Sequence, residues 1–195
     1  VLPVQPPRGQ VRMRLIGATY WTDLRGPTAC ELLTEPEVAS VLARLGPDPL
    51  RRDDDPDRAW AKISRSRAPL ATLLMDQSVL AGVGNVYRAE LLFRHQLDPL
   101  LPGRDLRADQ WAALWSDLAE LMADGVRRGR IDTVRAEHDP IRTGRAPRQD
   151  RHGGEVYVYR RAGAPCLVCG TAIVTAPHAA RKLYWCPRCQ RCRAV

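Results

Sequence analysis

The spacing of apolar positions changes along the chain, and each change marks an element. Residues 11–24, "VRMRLIGATYWTDL", alternate apolar and polar side chains with Tyr20 and Trp21 among them, the period of two expected of a strand. The first ten residues, with Pro3, Pro6, Pro7 and Gly9, show no period, so the strand at Val11 is expected to be what remains of a larger sheet. At Thr34 the period lengthens. Thr34 and Glu37 have capping-box spacing, and Val38, Val41, Leu42 and Leu45 follow at helical intervals until Gly46. Further helices are predicted around 60–63, 70–75 and 87–93. The longest, over 106–126, places Trp111, Leu114, Trp115, Leu118, Leu121 and Met122 on one face, and both tryptophans read as core. Residues 132–151 turn polar, with Pro140, Gly144, Pro147 and arginines including Arg142, Arg145 and Arg148, as expected of a linker or mobile loop. "EVYVYRR", 155–161, restores strand alternation.

Two interruptions of this pattern carry candidate chemistry. In "DQSVLAGVGNVYRAELLF", 76–93, Gly82, Gly84 and Asn85 separate two apolar stretches. They permit a tight turn and put Asn85 where the N-cap of the next helix belongs. A glycine-lined helix N-terminus presents amide donors and the positive end of the helix dipole, so it can hold a phosphate, with the Asn85 side chain as an added donor. The same residues taken alone fit an ordinary well-capped αα-hairpin.

The second interruption is "CLVCGTAIVTAPHAARKLYWCPRCQRC". Cys166 and Cys169 form one CxxC pair, Cys186 and Cys189 another, sixteen residues apart. Each pair makes a knuckle that aims two thiolates at one point, and two knuckles on a hairpin complete a tetrahedral sulfur site suited to zinc. Gly170 permits the first knuckle, and "TAIVTA" and "KLYW" read as the hairpin strands. Cys192 forms a further CxxC with Cys189, and His178 is another potential ligand. Cys186 and Cys189 are favoured because they directly follow a strand. A hairpin this small needs its metal for folding energy. Arg181 and Lys182 fall near its turn, as a phosphate probe or as ordinary solvated cations. Cys30, far from the cluster, is expected to be a buried small hydrophobe.

Composition adds a direction. The 195 residues carry a net charge of +8 with a pI near 9.6. Only Lys62 and Lys182 are lysines, so arginine, whose planar fork pairs with phosphate, supplies nearly all the cation. Codon bias in a GC-rich genome explains the same composition. No apolar run approaches the ~20 residues of a membrane span and no leader pattern opens the chain, so a soluble intracellular protein is expected. In that setting clustered CxxC pairs indicate metal rather than disulfides.

The stretches "DQSVLAGVGNVYRAELLF", "VYVYRRAGAPCLVCGTAIV" and "PHAARKLYWCPRCQ", in this order and with "ARLGPDPL" ahead of them, closely resemble the formamidopyrimidine DNA glycosylase and endonuclease VIII family over most of residues 11–192. The resemblance implies a mixed α+β chain in three parts. These are a remnant of an N-terminal β-sandwich (1–33), a helix-two-turn-helix DNA-binding domain (34–150) and a β-hairpin zinc finger (151–195) holding one structural zinc on Cys166, Cys169, Cys186 and Cys189. It makes Asn85, beside Gly84, a phosphate-binding asparagine. Arg181, with Lys182 next to it, becomes the finger's phosphate grip, and Glu90 a glutamate that orders the catalytic pocket. Arg25, in "TDLRGPTACEL", corresponds to a residue that fills the gap left by a flipped nucleotide, although the family's aromatic wedge after it is missing.

The activity implied is that of a bifunctional DNA glycosylase and abasic-site lyase, which flips an oxidised base out of bent DNA and cleaves the strand by β/δ-elimination. Oxidised pyrimidines are favoured because "DLRGPT" departs from the purine-specific branch. The family's N-terminal proline nucleophile and glutamate do not appear, and Val1 stands first. No catalytic residue is therefore assigned. The chain is expected to bind damaged or abasic double-stranded DNA, as a monomer in a bacterial cytoplasm at the nucleoid, without cutting it. A non-catalytic zinc-containing DNA-binding module is the alternative. An RNA-binding role suits the charge but leaves the zinc hairpin unexplained.

Overall fold

In the structure, a computed structural model describing residues 3–27, 29–150 and 154–191, the first period-two stretch forms an antiparallel ribbon. Strand β1 (Val11–Ile16) pairs with β2 (Trp21–Arg25) in the register Leu15 to Thr22 and Ile16 to Trp21, with an irregularity between Val11 and Met13. Arg14 grips Asp23 through two hydrogen bonds of 2.6 and 2.9 Å and lies 4.9 Å over the Trp21 ring. Helix α1 (Glu35–Ala43) starts at the expected cap, where the Thr34 amide donates to the Glu37 carboxylate at 2.7 Å. The ribbon and α1 belong to one compact unit, Val1–Ala43, and the rest of the chain forms a second, Arg44–Val195. Cys30 is exposed, not buried. Residues 29–34 form no regular element and build no core around it.

The second unit holds α2 (Pro56–Ile63), α3 (Leu70–Leu73), α4 (Asn85–Arg94), α5 (Ala108–Arg128), α6 (Pro140–Thr143) and the hairpin β3 (Val174–His178) and β4 (Arg181–Trp185). Local chemistry sets the helix ends. Asp55 accepts from the Asp57 amide ahead of Pro56 at the start of α2, and Gly129, at φ +66°, ends α5 in the left-handed conformation. Ile63, Leu70, Leu74, Leu80, Leu91, Leu92, Leu114 and Leu118 are fully buried together, and Trp60 stacks on Trp111 with centroids 6.3 Å apart. The core reading of the α5 stripe holds. Leu183 of β4 enters the same core, so the hairpin and the helices are one packed body. Gly46 is required at the entry to this unit, because a Cβ there would lie 2.3 Å from the Val79 backbone.

Three segments differ from the sequence pattern. "EVYVYRR" is not a strand: residues 155–161 form an irregular turn in which consecutive amides point the same way, toward α4. Residues 132–150 are not an unstructured linker. They contain a 3-10 turn (Ala136–His138) and α6, and Thr133, near their start, is 1% exposed. The first hairpin strand starts at Val174 rather than residue 171, because Pro165 and Ala172 bridge to close the knuckle instead.

Helix α4 is buried along residues 87–93 and is fastened to α5 by charge. Arg94 forks onto Asp117 at 2.6 and 2.7 Å, and His95 Nε2 lies 3.0 Å from the same carboxylate. Burial alone would raise the Asp117 carboxyl, but hydrogen bonds from His95 and Arg94 and their charge hold it well below the usual carboxylate range. A carboxyl depressed on folding adds stability above its unfolded value of about 4 and loses it as pH falls through the folded one. Asp117→Asn should therefore cost about 2–3 kcal/mol at pH 7, and the gap to the native chain should narrow below about pH 4, as read by denaturant midpoints across pH.

Candidate nucleic-acid interface and zinc centre

Between α3 and α4 the chain turns twice around Gln77. Its Oε1 accepts from the Gly82 amide at 2.9 Å and its Nε2 donates to the Val83 carbonyl at 3.0 Å. Asp76 receives the Ser78 amide at 2.8 Å. Gly82 sits at φ +80°, which glycine adopts without cost. The N-cap of α4 is Gly84 and not Asn85, which is the first helical residue. The reason is the direction of the Asn85 side chain. Its Nδ2 donates to the Lys182 carbonyl at 3.0 Å and its Oδ1 accepts from the Arg88 guanidinium, so its oxygen is not offered to the first amides of α4. No side chain among the described residues caps α4. Gly84 is exposed and a Cβ there would meet nothing within 4 Å, so the N-cap position is open, and the first amides of α4, which have no intrahelical acceptor, lie at the positive end of the dipole.

The hairpin brings its cations to the same place. His178 pairs with Arg181, and the two-residue turn between them is Ala179 and Ala180, at φ +45° and +60°. This mirror-image turn normally takes Asn or Gly, and each alanine in the left-handed region costs roughly 1–2 kcal/mol. Arg181 and Lys182 are exposed beside it. His178 does not join the cysteines: its Nε2 lies 2.9 Å from Thr72 Oγ1, and burial, then the charge of Arg88, push its pKa down. The structure thus places Gly84, Asn85, Arg181 and Lys182 around one junction. Arg25 lies in the first unit, where it donates to Asp23 at 2.8 Å, and Cys192 lies outside the described residues.

The four cysteines converge as their spacing predicts, with Sγ atoms of Cys166, Cys169, Cys186 and Cys189 all within 4.8 Å of one another. The knuckles are alike. The Val168 amide donates to Cys166 Sγ and the Cys189 amide to Cys186 Sγ, both at 3.5 Å, while Gly170 and Gln190 return to the carbonyls of Cys166 and Cys186 at 2.9 and 3.0 Å. Burial raises the Cys166 and Cys189 thiols above their ordinary value. A divalent cation removes that penalty, and four converging sulfurs fit tetrahedral zinc. Gln190, 2% exposed, accepts from the Cys186 amide and donates to the Leu97 carbonyl, tying the knuckle to the helices.

Glu90 is fully buried on α4. Its carboxylate receives the amides of Tyr157, Val158 and Tyr159 at 2.6, 2.8 and 2.8 Å, and the Thr133 hydroxyl at 2.6 Å. Three successive amides on one carboxylate are incompatible with a strand, where they alternate in direction. The sequence pattern does not single out Arg88, Gln77 or Gln190. The one sequence signal for Arg88 was a cation inside an otherwise apolar helix.

An uncapped helix N-terminus after a double turn, locked to a four-cysteine hairpin, defines a helix-two-turn-helix protein with a zinc finger. The chain belongs to the formamidopyrimidine-DNA glycosylase and endonuclease VIII family. Residues 45–136 match the formamidopyrimidine-DNA glycosylase H2TH domain, and 163–191 the zinc finger found in FPG and IleRS. Endonuclease 8 1 of Mycobacterium tuberculosis (H37Rv) is 56% identical over 184 residues, 94% of this chain and 67% of the relative. Formamidopyrimidine-DNA glycosylase of Thermosynechococcus vestitus is 31% identical over 188 residues, 95% of this chain and 62% of the relative. Among solved structures, MutM (Fpg) of Thermus thermophilus superposes with a TM-score of 0.71 at 29% identity, over 95% of this chain and 70% of that one. Lactococcus lactis Fpg, solved with abasic-site DNA, shares the fold at a TM-score of 0.63 and 23% identity, over 82% and 57%. The chain thus spans about two thirds of the endonuclease 8 relative and less of the glycosylase.

Chelation should release the hairpin while leaving much of the helical core folded; circular dichroism and amide exchange at 174–185 after metal removal check this, and a hairpin that stays protected would reject the metal assignment. Glu90→Ala should cost about 3 kcal/mol by leaving buried amides unpaired. In that variant the amides of 157–159 should exchange quickly.

Proposed function

We propose that this chain is the DNA-holding part of a base-excision repair enzyme, a DNA glycosylase and abasic-site lyase acting on oxidised bases in duplex DNA. The observation that carries the reading is the 3.0 Å bond from Asn85 Nδ2 to the Lys182 carbonyl, which sets the exposed N-terminus of α4 beside the exposed Arg181. Anions favour both: helix amides hold one phosphate, and a guanidinium on a metal-stapled finger holds another. Asn85 spends one amide hydrogen on Lys182 and has a second for a ligand. Two grips on one strand suit a DNA bent to extrude a nucleotide. The net charge of +8 supplies the long-range attraction.

Glu90 acts at a distance on this reading. It does so by holding Thr133 and the segment 157–159, which leads into the first zinc knuckle, against α4. Oxidised pyrimidines are proposed as the base class because "DLRGPT" departs from the purine-specific branch of the family. The bacterial nucleoid is the corresponding place of action. Chemistry is assigned to the whole protein and to no residue of this chain, and Arg25 is proposed as a DNA contact of the first unit.

Binding to a labelled duplex with an abasic-site analogue, followed across salt, tests the reading. Asn85→Ala and Arg181→Ala should each weaken binding and each lower the slope of log K against log salt by up to about one phosphate contact. Unchanged affinity in both variants rejects the two-grip account. Borohydride trapping of the full-length protein on the same duplex tests the lyase chemistry, and its absence rejects the enzyme reading.

A further inference from the structure

Arg88 is fully buried, and among the described residues no carboxylate pairs with it. Its guanidinium donates instead to three neutral oxygens on three elements: the Ala71 carbonyl of α3 at 3.3 Å, Oδ1 of Asn85, and the Lys182 carbonyl of β4 at 3.2 Å. Its Nε has no partner among the described residues. A buried, incompletely satisfied cation costs stability, and an apolar side chain of similar volume fills such a place at lower cost. Packing therefore does not account for a guanidinium here. Its geometry does something packing cannot: one fork reaches the side chain that starts α4 and the main chain that follows Arg181.

We infer that Arg88 is a positioning residue for DNA binding, one that fixes the Asn85 side chain and the Lys182 carbonyl relative to each other and so sets where Arg181 stands. This rests on the DNA-holding reading above. Burial, and then the nearby charge of Arg181, lower the pKa of the Arg88 guanidinium, and an anion at the junction favours its charged form. Thr72, next to Ala71, adds a parallel link through His178, which keeps the hairpin docked when Arg88 is changed and makes placement, rather than docking, the property at stake.

The test uses the zinc-loaded chain, thermal melts, and equilibrium binding to an abasic-analogue duplex over a salt series. Arg88→Met should leave the melting temperature unchanged or higher while weakening binding roughly tenfold and flattening the salt slope by about one contact. Arg88→Lys keeps the charge without the planar fork and should also bind several-fold more weakly. In an Asn85→Ala background the further change at Arg88 should cost less than in the native one, because the two act as a unit. Native affinity and slope in Arg88→Met, full affinity in Arg88→Lys, or additive losses would each overturn the inference. If Arg88→Met does not fold, Arg88→Lys and its cycle with Asn85→Ala decide. A native chain that does not bind the duplex overturns the DNA-holding reading, and the inference with it. Binding by the native chain that the Arg88 variants match overturns the inference alone.

Discussion

Two ionisable side chains on one buried helix fasten the zinc hairpin and the segment leading into it to the helical core of the second unit. Arg88 and Glu90 are two residues apart on α4, and residues so spaced point to different sides of a helix. Both are fully buried. Arg88 reaches the hairpin and Glu90 reaches the segment 157–159. One helix therefore holds the finger with its cation and the chain leading into the first zinc knuckle with its anion. Because each charge is met chiefly by main-chain groups, with one neutral side chain apiece, and not by a hydrogen-bonded counter-charge, each fixes backbone rather than merely neutralising a neighbour.

The zinc hairpin is correspondingly less independent than its size suggests. Its cysteines supply the local crosslink, yet Leu183 is shared with the helical core and Gln190 is bonded to the Leu97 carbonyl. A second small core joins Ala89 and Phe93 of α4 to Tyr157, Ile173, Tyr184 and two of the cysteines. Metal, hairpin and helices are thus coupled, and the tip gains the rigidity that a guanidinium needs to meet a phosphate at a set place.

Much of this was legible in the residues alone. The α5 stripe, the glycine turn ahead of α4 and the two CxxC pairs each follow from a local rule, and local rules survive folding. What failed was decided by partners distant in sequence. Residues 155–161 alternate like a strand, but Glu90, more than sixty positions earlier, claims three adjacent amides and forces a turn. Asn85 looked like a cap until Lys182, nearly a hundred positions later, drew its side chain away. Cys30 suggests core by residue type alone, and no element gathers around it. Arg88 is not legible in sequence because a cation within an apolar helix has no motif of its own, and its meaning lies in three carbonyl-type oxygens that the fold assembles.

The junction recognises position 182 through its carbonyl. A latch on the main chain is blind to the side chain it holds, so the residue there is free to change identity while the strand stays seated. The finger can therefore vary what it shows to a ligand at 182 without loosening its own mounting, a division between anchoring and reading that leaves one face of the strand open to diversification.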